Sequence, residues 1–253
     1  MRISFTGLDT PIDLAEKGIT ILQIMNESLY ARVCASLLST KGEEAIEPYS
    51  VWDDDGCEVN PIYAFIIAPN PFDLPWKHRS LIGRLYSRLE DELICDEEAR
   101  YEMQELGLAL EASVHKLGLQ FNADYKFGVE WSLSSYLKAF SYGIDISETA
   151  MLLDNLISFI DLGADMAIDK ALVFMNLKTF LTKSDMTKVQ ERLFFHGMKA
   201  LLLEGSCTRL DDDCEQKYIV DRDFVEYVFT EKSGCSSSTQ GRIYSNGFGA
   251  VTF

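Results

Sequence analysis

The sequence predicts an α/β fold in which a helical segment interrupts the part of the chain that forms the sheet. Short β-branched and apolar runs of the kind found in buried strands occur at Ile19–Leu22 and again after residue 170. Between these runs, residues 62–165 repeat apolar positions at spacings of three and four, which is the pattern of packed helices. At 253 residues, with 47% hydrophobic and 25% charged residues, the chain is long enough to bury two cores.

These patterns predict three regions. Residues 1–61 and 166–229 form a discontinuous α/β head domain, residues 62–165 form a helical leg domain, and residues 230–253 form a Ser- and Gly-rich tail. The second part of the head reads strand, helix, strand, a βαβ unit with a right-handed crossover between parallel strands. Thr182 and Asp185 form a predicted capping box for its helix.

The leg is predicted to contain four helices. A first helix runs from about Pro75 to Leu93, with a proline at its start. A second helix begins with the acids from Asp96 onward, because negative side chains are favoured near the positive end of the helix dipole. A third helix lies near Ser132–Tyr142, and Ser147 caps the fourth. We expect one face of the second helix to point into the core, through Met103, Leu106, Leu110, Val114 and Leu117.

Phosphate-binding chemistry is missing where this layout would place it. A P-loop needs glycines after the first buried strand, so that backbone N–H groups cradle phosphate, and a lysine that reaches the terminal phosphates. Residues 23–28 contain neither. The strand that ends at Met175 is followed by Asn176, so no aspartate is placed to hold magnesium. The sequence therefore predicts a degenerate P-loop-like head that does not hydrolyse nucleotides.

Composition and charge narrow the classes of function that remain. The net charge of −17 and pI near 4.5 oppose nucleic-acid binding, although the position of the charges matters more than their sum. No apolar run reaches the length of a membrane span and no secretory signal pattern opens the chain, so we expect a cytoplasmic protein. The six cysteines form no C-x-x-C pair and the three histidines share no ligand spacing, which predicts reduced thiols and no zinc site.

Two acidic runs leave an enzymatic alternative open. Asp53–Gly56 resembles the opening of a calcium loop, but the closing glutamate is missing, which favours a solvated turn. Asp211–Asp213 could bind Mg²⁺ in a metal-dependent nuclease or NTPase, although no partner base or nucleophile accompanies it. The acidic balance also suggests a third possibility, a scaffold that binds only other proteins.

A series of short blocks runs in one order over residues 1 to about 229: Ile19–Leu22, Ser28–Tyr30, Val51–Asp54, Leu172–Asn176, Phe180–Lys183, Leu201–Glu204 and Tyr218–Asp221. In their order and intervals these blocks resemble the Csn2 family of type II-A CRISPR-associated adaptation proteins. The resemblance implies a head-and-leg organisation and a homotetrameric ring that threads double-stranded DNA by its free ends without recognising sequence. It also implies stabilising calcium ions (Ca²⁺), no catalysis, and partnership with the spacer integrase complex and the RNA-guided effector nuclease.

The resemblance also suggests site residues. Its calcium loop precedes the third leg helix and here contains Asn122, Asp124 and Glu130, fewer oxygen ligands than the 6–8 that calcium favours. A lysine on the following helix matches Lys138, which we expect to contact DNA phosphates. Five further candidates are proposed only because they lie in the predicted leg: Lys126, Lys116, Lys77, Arg84 and Arg88. The last three follow one helix stripe, which could track phosphates or could be a solvated face.

Overall fold

The computed structural model describes residues 1–123, 125–128, 130–144, 151–205, 216–230 and 242–244. The strands are β1 (Arg2–Phe5), β2 (Ile12–Asp13), β3 (Gly18–Ile24), β4 (Tyr49–Trp52), β5 (Phe65–Ala68), β6 (Ala171–Met175), β7 (Lys199–Glu204), β8 (Gln216–Val220), β9 (Glu226–Thr230) and β10 (Arg242–Tyr244). The helices are α1 (Glu27–Ser39), α2 (Pro61–Ala64), α3 (Arg79–Cys95), α4 (Glu97–Gly118), α5 (Leu133–Ala139), α6 (Leu152–Asp165) and α7 (Lys183–Phe195).

The larger sheet has the strand order β10-β9-β8-β3-β7-β6-β5. Strands β8, β3, β7, β6 and β5 are parallel, and β9 and β10 add an antiparallel edge. All residues of β3 and β6 are buried, as expected for central parallel strands that are covered on both faces. The βαβ unit β6–α7–β7 predicted from the sequence is confirmed.

A smaller antiparallel sheet, β2-β1-β4, packs its apolar side chains into the same core as β3 and α1. Phe5 and Tyr49 face each other there, with ring centroids 5.4 Å apart. The sequence did not predict β4, because acidic and turn residues dominate residues 40–61. Its alternation of buried Tyr49 and Val51 with half-buried neighbours is visible only once β1 is present as its partner.

The chain divides into two compact units, residues 1–75 with 148–253 and residues 76–147. These boundaries differ from the predicted leg, residues 62–165, at both ends. The apolar run that ends at Ala68 is β5, which pairs in parallel with β6. Helix α6 packs against α7 and belongs to the first unit. A short apolar run is compatible with either a strand or a helix, and helical spacing does not show which unit a helix packs against. The sequence pattern therefore assigned both segments to the wrong unit.

Local capping signals were more informative. The side chains of Asn26 and Asp96 accept hydrogen bonds from the first turns of α1 and α4, and Thr182 and Asp185 form the predicted capping box of α7. Helix α3 begins four residues later than predicted, at Arg79, because His78 Nδ1 accepts from the Ser80 N–H. The predicted cap Ser147 and most of the Ser- and Gly-rich tail lie outside the described residues.

The predicted inward face of α4 is wrong. Gly107 is its only buried residue, and the five large side chains of that face are exposed. Helical spacing identifies the apolar face of a helix but not what covers it, and in the part of the chain that the structure describes little covers this face of α4.

Glu226 joins the two sheets. Its buried carboxylate accepts from the backbone N–H groups of Asp9 (2.8 Å) and Thr10 (2.9 Å) in the turn between β1 and β2. In Glu226→Gln the amide retains one acceptor oxygen and turns a donor toward the second N–H. We expect the free energy of unfolding to fall by about 1–2 kcal/mol, measured by urea denaturation. The change Glu16→Gln, at an exposed position of the same unit, should have no effect.

Candidate nucleic-acid interface

The carboxyl ends of the parallel strands form the edge at which α/β folds bind ligands. Between the end of β3 and the start of α1 lie only two residues, Met25 and Asn26. The Met25 N–H donates to the Val220 carbonyl at 2.7 Å, and Asn26 caps the helix. The N–H groups of Met25 and Leu29 are therefore bonded within the protein, and the turn contains no glycine.

At the same edge, the ends of β6 and β7 are occupied by the protein's own polar side chains. Asn176, in the left-handed conformation with φ 53°, accepts from the Gly205 N–H at 3.2 Å. Glu204 is 1% exposed, and its Oε1 accepts from the Lys178 N–H at 3.0 Å. Burial raises the pKa of Glu204 to about 7, and the Lys178 N–H and ammonium partly offset this rise.

Glu204 was not predicted from the sequence as a buried carboxyl group. The signal was an apolar run, Ala200–Leu203, that ends in an acid with no polar break before it. Only the sheet register shows that this acid stands opposite Gln23 of β3, inside the molecule. The arrangement is an internal polar cluster, and its described members include no nucleophile paired with a base.

The basic candidates lie elsewhere, all in the unit of residues 76–147. All six are exposed: Lys77, Arg84, Arg88, Lys116, Lys126 and Lys138. This unit contains eight lysines and arginines against twelve carboxylates, but nine of those carboxylates lie between residues 90 and 111. The six candidates all lie before or after that acidic segment. An acidic chain can therefore still present basic side chains in one part of its surface.

Lys138 has a defined structural setting. Helix α5 is capped by Ser132, which accepts from the Ser135 N–H at 3.2 Å. The Tyr86 hydroxyl of α3 lies within hydrogen-bonding distance of the carbonyls of Leu137 (3.2 Å) and Tyr142 (2.7 Å). Leu137 is buried at this contact, whereas its neighbour Lys138 is exposed, as a phosphate contact requires.

The predicted calcium residues are only partly described. Asn122 and Glu130 are exposed, and Asp124 lies outside the described residues. Two exposed oxygen donors do not by themselves fit an ion that takes 6–8 ligands. In the part of the chain that the structure describes, no group of three His, Cys, Asp or Glu side chains could hold a metal ion.

The acids of the enzymatic alternative have structural roles where they are described. Asp53 Oδ1 accepts from the N–H groups of Asp55 (3.0 Å) and Cys57 (2.8 Å), which makes the run a self-capped turn. Asp54 forms an ion pair with Lys199, and the hydrogen bond within this pair is the main cause that lowers the pKa of Asp54 to about 2. Asp211–Asp213 lies outside the described residues.

The three histidines have separate roles. His78 caps α3, His115 packs edge-on against Phe127 at 5.3 Å, and His196 Nε2 lies 2.9 Å from Asp161 Oδ1 between α6 and α7. The first two belong to the unit of residues 76–147 and the third to the other unit. Each therefore has a local structural contact.

Fold and site together define an α/β protein with a parallel sheet, no phosphate-binding turn after β3, and a separate helical unit that carries the basic candidates. Residues 47–224 match the family described as CRISPR-associated protein (Cas_Csn2). This match spans well over half of the chain, and the protein belongs to that family. Membership gives it a role in CRISPR adaptation.

Comparison with solved structures agrees at the level of the fold. The crystal structure of Stu0660 of Streptococcus thermophilus is similar to this chain with a TM-score of 0.57 and 11% sequence identity. The similarity covers 87% of this chain and 74% of that one. No curated protein matches. Among the described residues, no helix is both long and apolar enough to cross a membrane.

Proposed function

We propose that this protein is a non-catalytic, cytoplasmic DNA-binding protein of CRISPR spacer acquisition that holds double-stranded DNA ends within a homotetrameric ring. The observation that carries the proposal is the placement of six exposed basic side chains in the helical unit, outside its acidic segment. Phosphate contacts of this kind bind duplexes without recognising sequence. Family membership supplies the adaptation role.

The absence of catalysis is part of the proposal. The head is a degenerate P-loop-like domain whose two-residue turn after β3 leaves no room for a phosphate loop. In the acidic run after β4, Asp53 caps its own turn and Asp54 forms an ion pair with Lys199. The proposed protein partners are the spacer integrase complex and the RNA-guided effector nuclease.

The proposed oligomer is supported by apolar exposure. Among the described residues, 25 large hydrophobic side chains are exposed, and 15 of them lie in residues 76–147. Large contiguous apolar patches on a protein surface mark interaction sites, so we expect other copies of the chain to cover part of this surface. Calcium, if it stabilises the ring, would need backbone carbonyls in addition to Asn122, Asp124 and Glu130.

The DNA proposal is tested by salt dependence. Lys138→Ala should weaken binding to a linear duplex and reduce the slope of log K against log salt by about 0.9 for each phosphate that the variant no longer neutralises. Fluorescence anisotropy over about 50 to 200 mM salt measures this slope. Lys41→Ala, at an exposed lysine of the other unit, is the matched control and should leave the slope unchanged.

Closed circular DNA provides the second arm of the test. Equal affinity for linear and closed duplexes would overturn threading by free ends. The absence of any DNA shift at low salt, with calcium present, would favour a protein-only scaffold. Metal-dependent cleavage of the duplex would favour the nuclease alternative.

A further inference from the structure

Helix α4 carries an exposed apolar stripe, which we define as five side chains at successive spacings of three, four, four and three residues: Met103, Leu106, Leu110, Val114 and Leu117. At about 100° per residue these positions fall within about 80° of the helix circumference. They therefore form one continuous apolar face rather than a scatter of surface residues.

Exposure along the stripe shows which side of it is open. Trp131 packs so closely on Gly107 that a Cβ there would lie 2.5 Å from the indole ring. Gly107 borders the stripe, and the stripe residues nearest to it around the helix, Met103 (38%) and Val114 (44%), are the least exposed. Farther from this border, exposure rises to 54% at Leu110 and to 62% and 63% at Leu106 and Leu117. Among the described residues, Trp131 covers one border of the stripe, and the side chains farther from this border are exposed.

The spacings along the stripe are the same when they are read from either end of the helix. When two copies of α4 lie antiparallel about a two-fold axis at Leu110, Met103 of one copy faces Leu117 of the other, and Leu106 faces Val114. Leu110 then faces Leu110. A two-fold interface requires this kind of self-complementary surface, in which each residue contacts the counterpart of its own partner.

On one flank of the stripe, charge favours the antiparallel direction. Glu102 and Lys116 lie on the same flank of the stripe, on opposite sides of Leu110 along the helix, and both are exposed. In an antiparallel pair the same flanks of the two helices meet, so each Glu102 lies near the Lys116 of the other copy. In a parallel two-fold pair these flanks lie on opposite sides of the interface, and neither ion pair forms.

We propose that α4 forms an isologous antiparallel helix pair with α4 of a second copy of this chain, with the two-fold axis at Leu110. The proposal deepens the oligomer part of the proposed function and rests on that part, but it requires neither DNA nor calcium. The pair supplies one dimer interface, from which a larger ring can be assembled through a different surface.

The first experiment is sedimentation equilibrium of the full chain without DNA or calcium. Leu110→Glu places two carboxylates together at the axis and should raise the dissociation constant by at least about a hundredfold. Leu108→Glu is the matched control, because Leu108 is similarly exposed (57%) but lies on the opposite side of α4. It should leave the dissociation constant unchanged, and circular dichroism should show native helix content for both variants.

The second experiment exchanges the flanking charges. Glu102→Lys and Lys116→Glu should each weaken association about tenfold, because each creates two like-charged contacts. The double variant, which restores opposite charges across the antiparallel interface, should return to wild-type affinity. A double variant no tighter than the single variants would overturn the antiparallel arrangement.

The outcomes separate this proposal from the function on which it rests. A wild-type oligomer that survives Leu110→Glu overturns the α4 pair and leaves the proposed ring intact. A wild-type chain that is monomeric at every concentration overturns both the pair and the ring. Loss of DNA binding in a Lys138→Ala variant that is still dimeric supports the DNA proposal and does not test the helix pair.

Discussion

Replacement of Glu204 by glutamine is expected to stabilise the protein progressively, relative to wild type, as the pH rises from about 4.5 to about 7. The folded carboxyl group has its pKa raised from 4.5 to about 7 by burial, whereas the unfolded group ionises near its ordinary value. Between these pH values the folded state binds the proton and the unfolded state does not. Raising the pH therefore favours unfolding of wild type by up to about 3 kcal/mol.

The measurement is urea denaturation of wild type and Glu204→Gln at about pH 4.5, 6 and 8, which bracket the two pKa values. The difference in the free energy of unfolding should shift in favour of the variant across this range and then become constant. The glutamine can still accept from the Lys178 N–H, so the hydrogen bond is retained while the buried charge is removed. Glu16→Gln, at an exposed position, should show no such trend. A difference that does not change with pH would show that Glu204 ionises normally in the folded state.

Replacing either of two helical glycines by alanine should change the free energy of unfolding, in opposite directions at the two positions. Alanine normally stabilises a helix interior by about 1 kcal/mol relative to glycine. At Gly83 of α3 nothing lies within 4 Å of the added Cβ, so Gly83→Ala should show this gain. At Gly107 the Cβ would lie 2.5 Å from Trp131, and moving a packed indole ring should cost more than the helix gains. We expect Gly107→Ala to lower the free energy of unfolding by about 1–3 kcal/mol.

Thermal or urea denaturation compares the two variants, and tryptophan fluorescence reports the displacement of Trp131. Its emission should shift in Gly107→Ala and stay unchanged in Gly83→Ala. Stabilisation by both substitutions would show that Trp131 does not pack on α4 as described. Since Trp131 borders the stripe, a displaced ring should also change the self-association proposed for this helix.

Local signals in the sequence were enough for the strands and caps of the head. The buried strands β3, β6 and β7 appeared as short apolar runs, because a parallel strand covered on both faces has few polar positions. The capping box of α7 was visible because a cap bonds to N–H groups two or three residues away. The missing phosphate loop was equally visible, since glycines either stand at that place in the chain or do not.

The sequence was not enough to predict features that depend on partners far away in the chain. The short run of β5 was placed with the helices, because only its pairing with β6 identifies it as a strand. The face of α4 was assigned to the core, because periodicity does not show what lies opposite it. The DNA candidates came from family resemblance and location, and the structure adds that all six are exposed in one compact unit.

The α/β class, the main strands, the caps and the missing phosphate cradle follow from the sequence alone, because they depend on residues within one or two helical turns of each other. Other features exist only in the folded chain. Glu204 is buried beside Lys178, Glu226 of the larger sheet bonds to the turn between β1 and β2, and the described stripe of α4 is exposed. Burial and exposure are set by segments far away in the chain, and no local pattern encodes them.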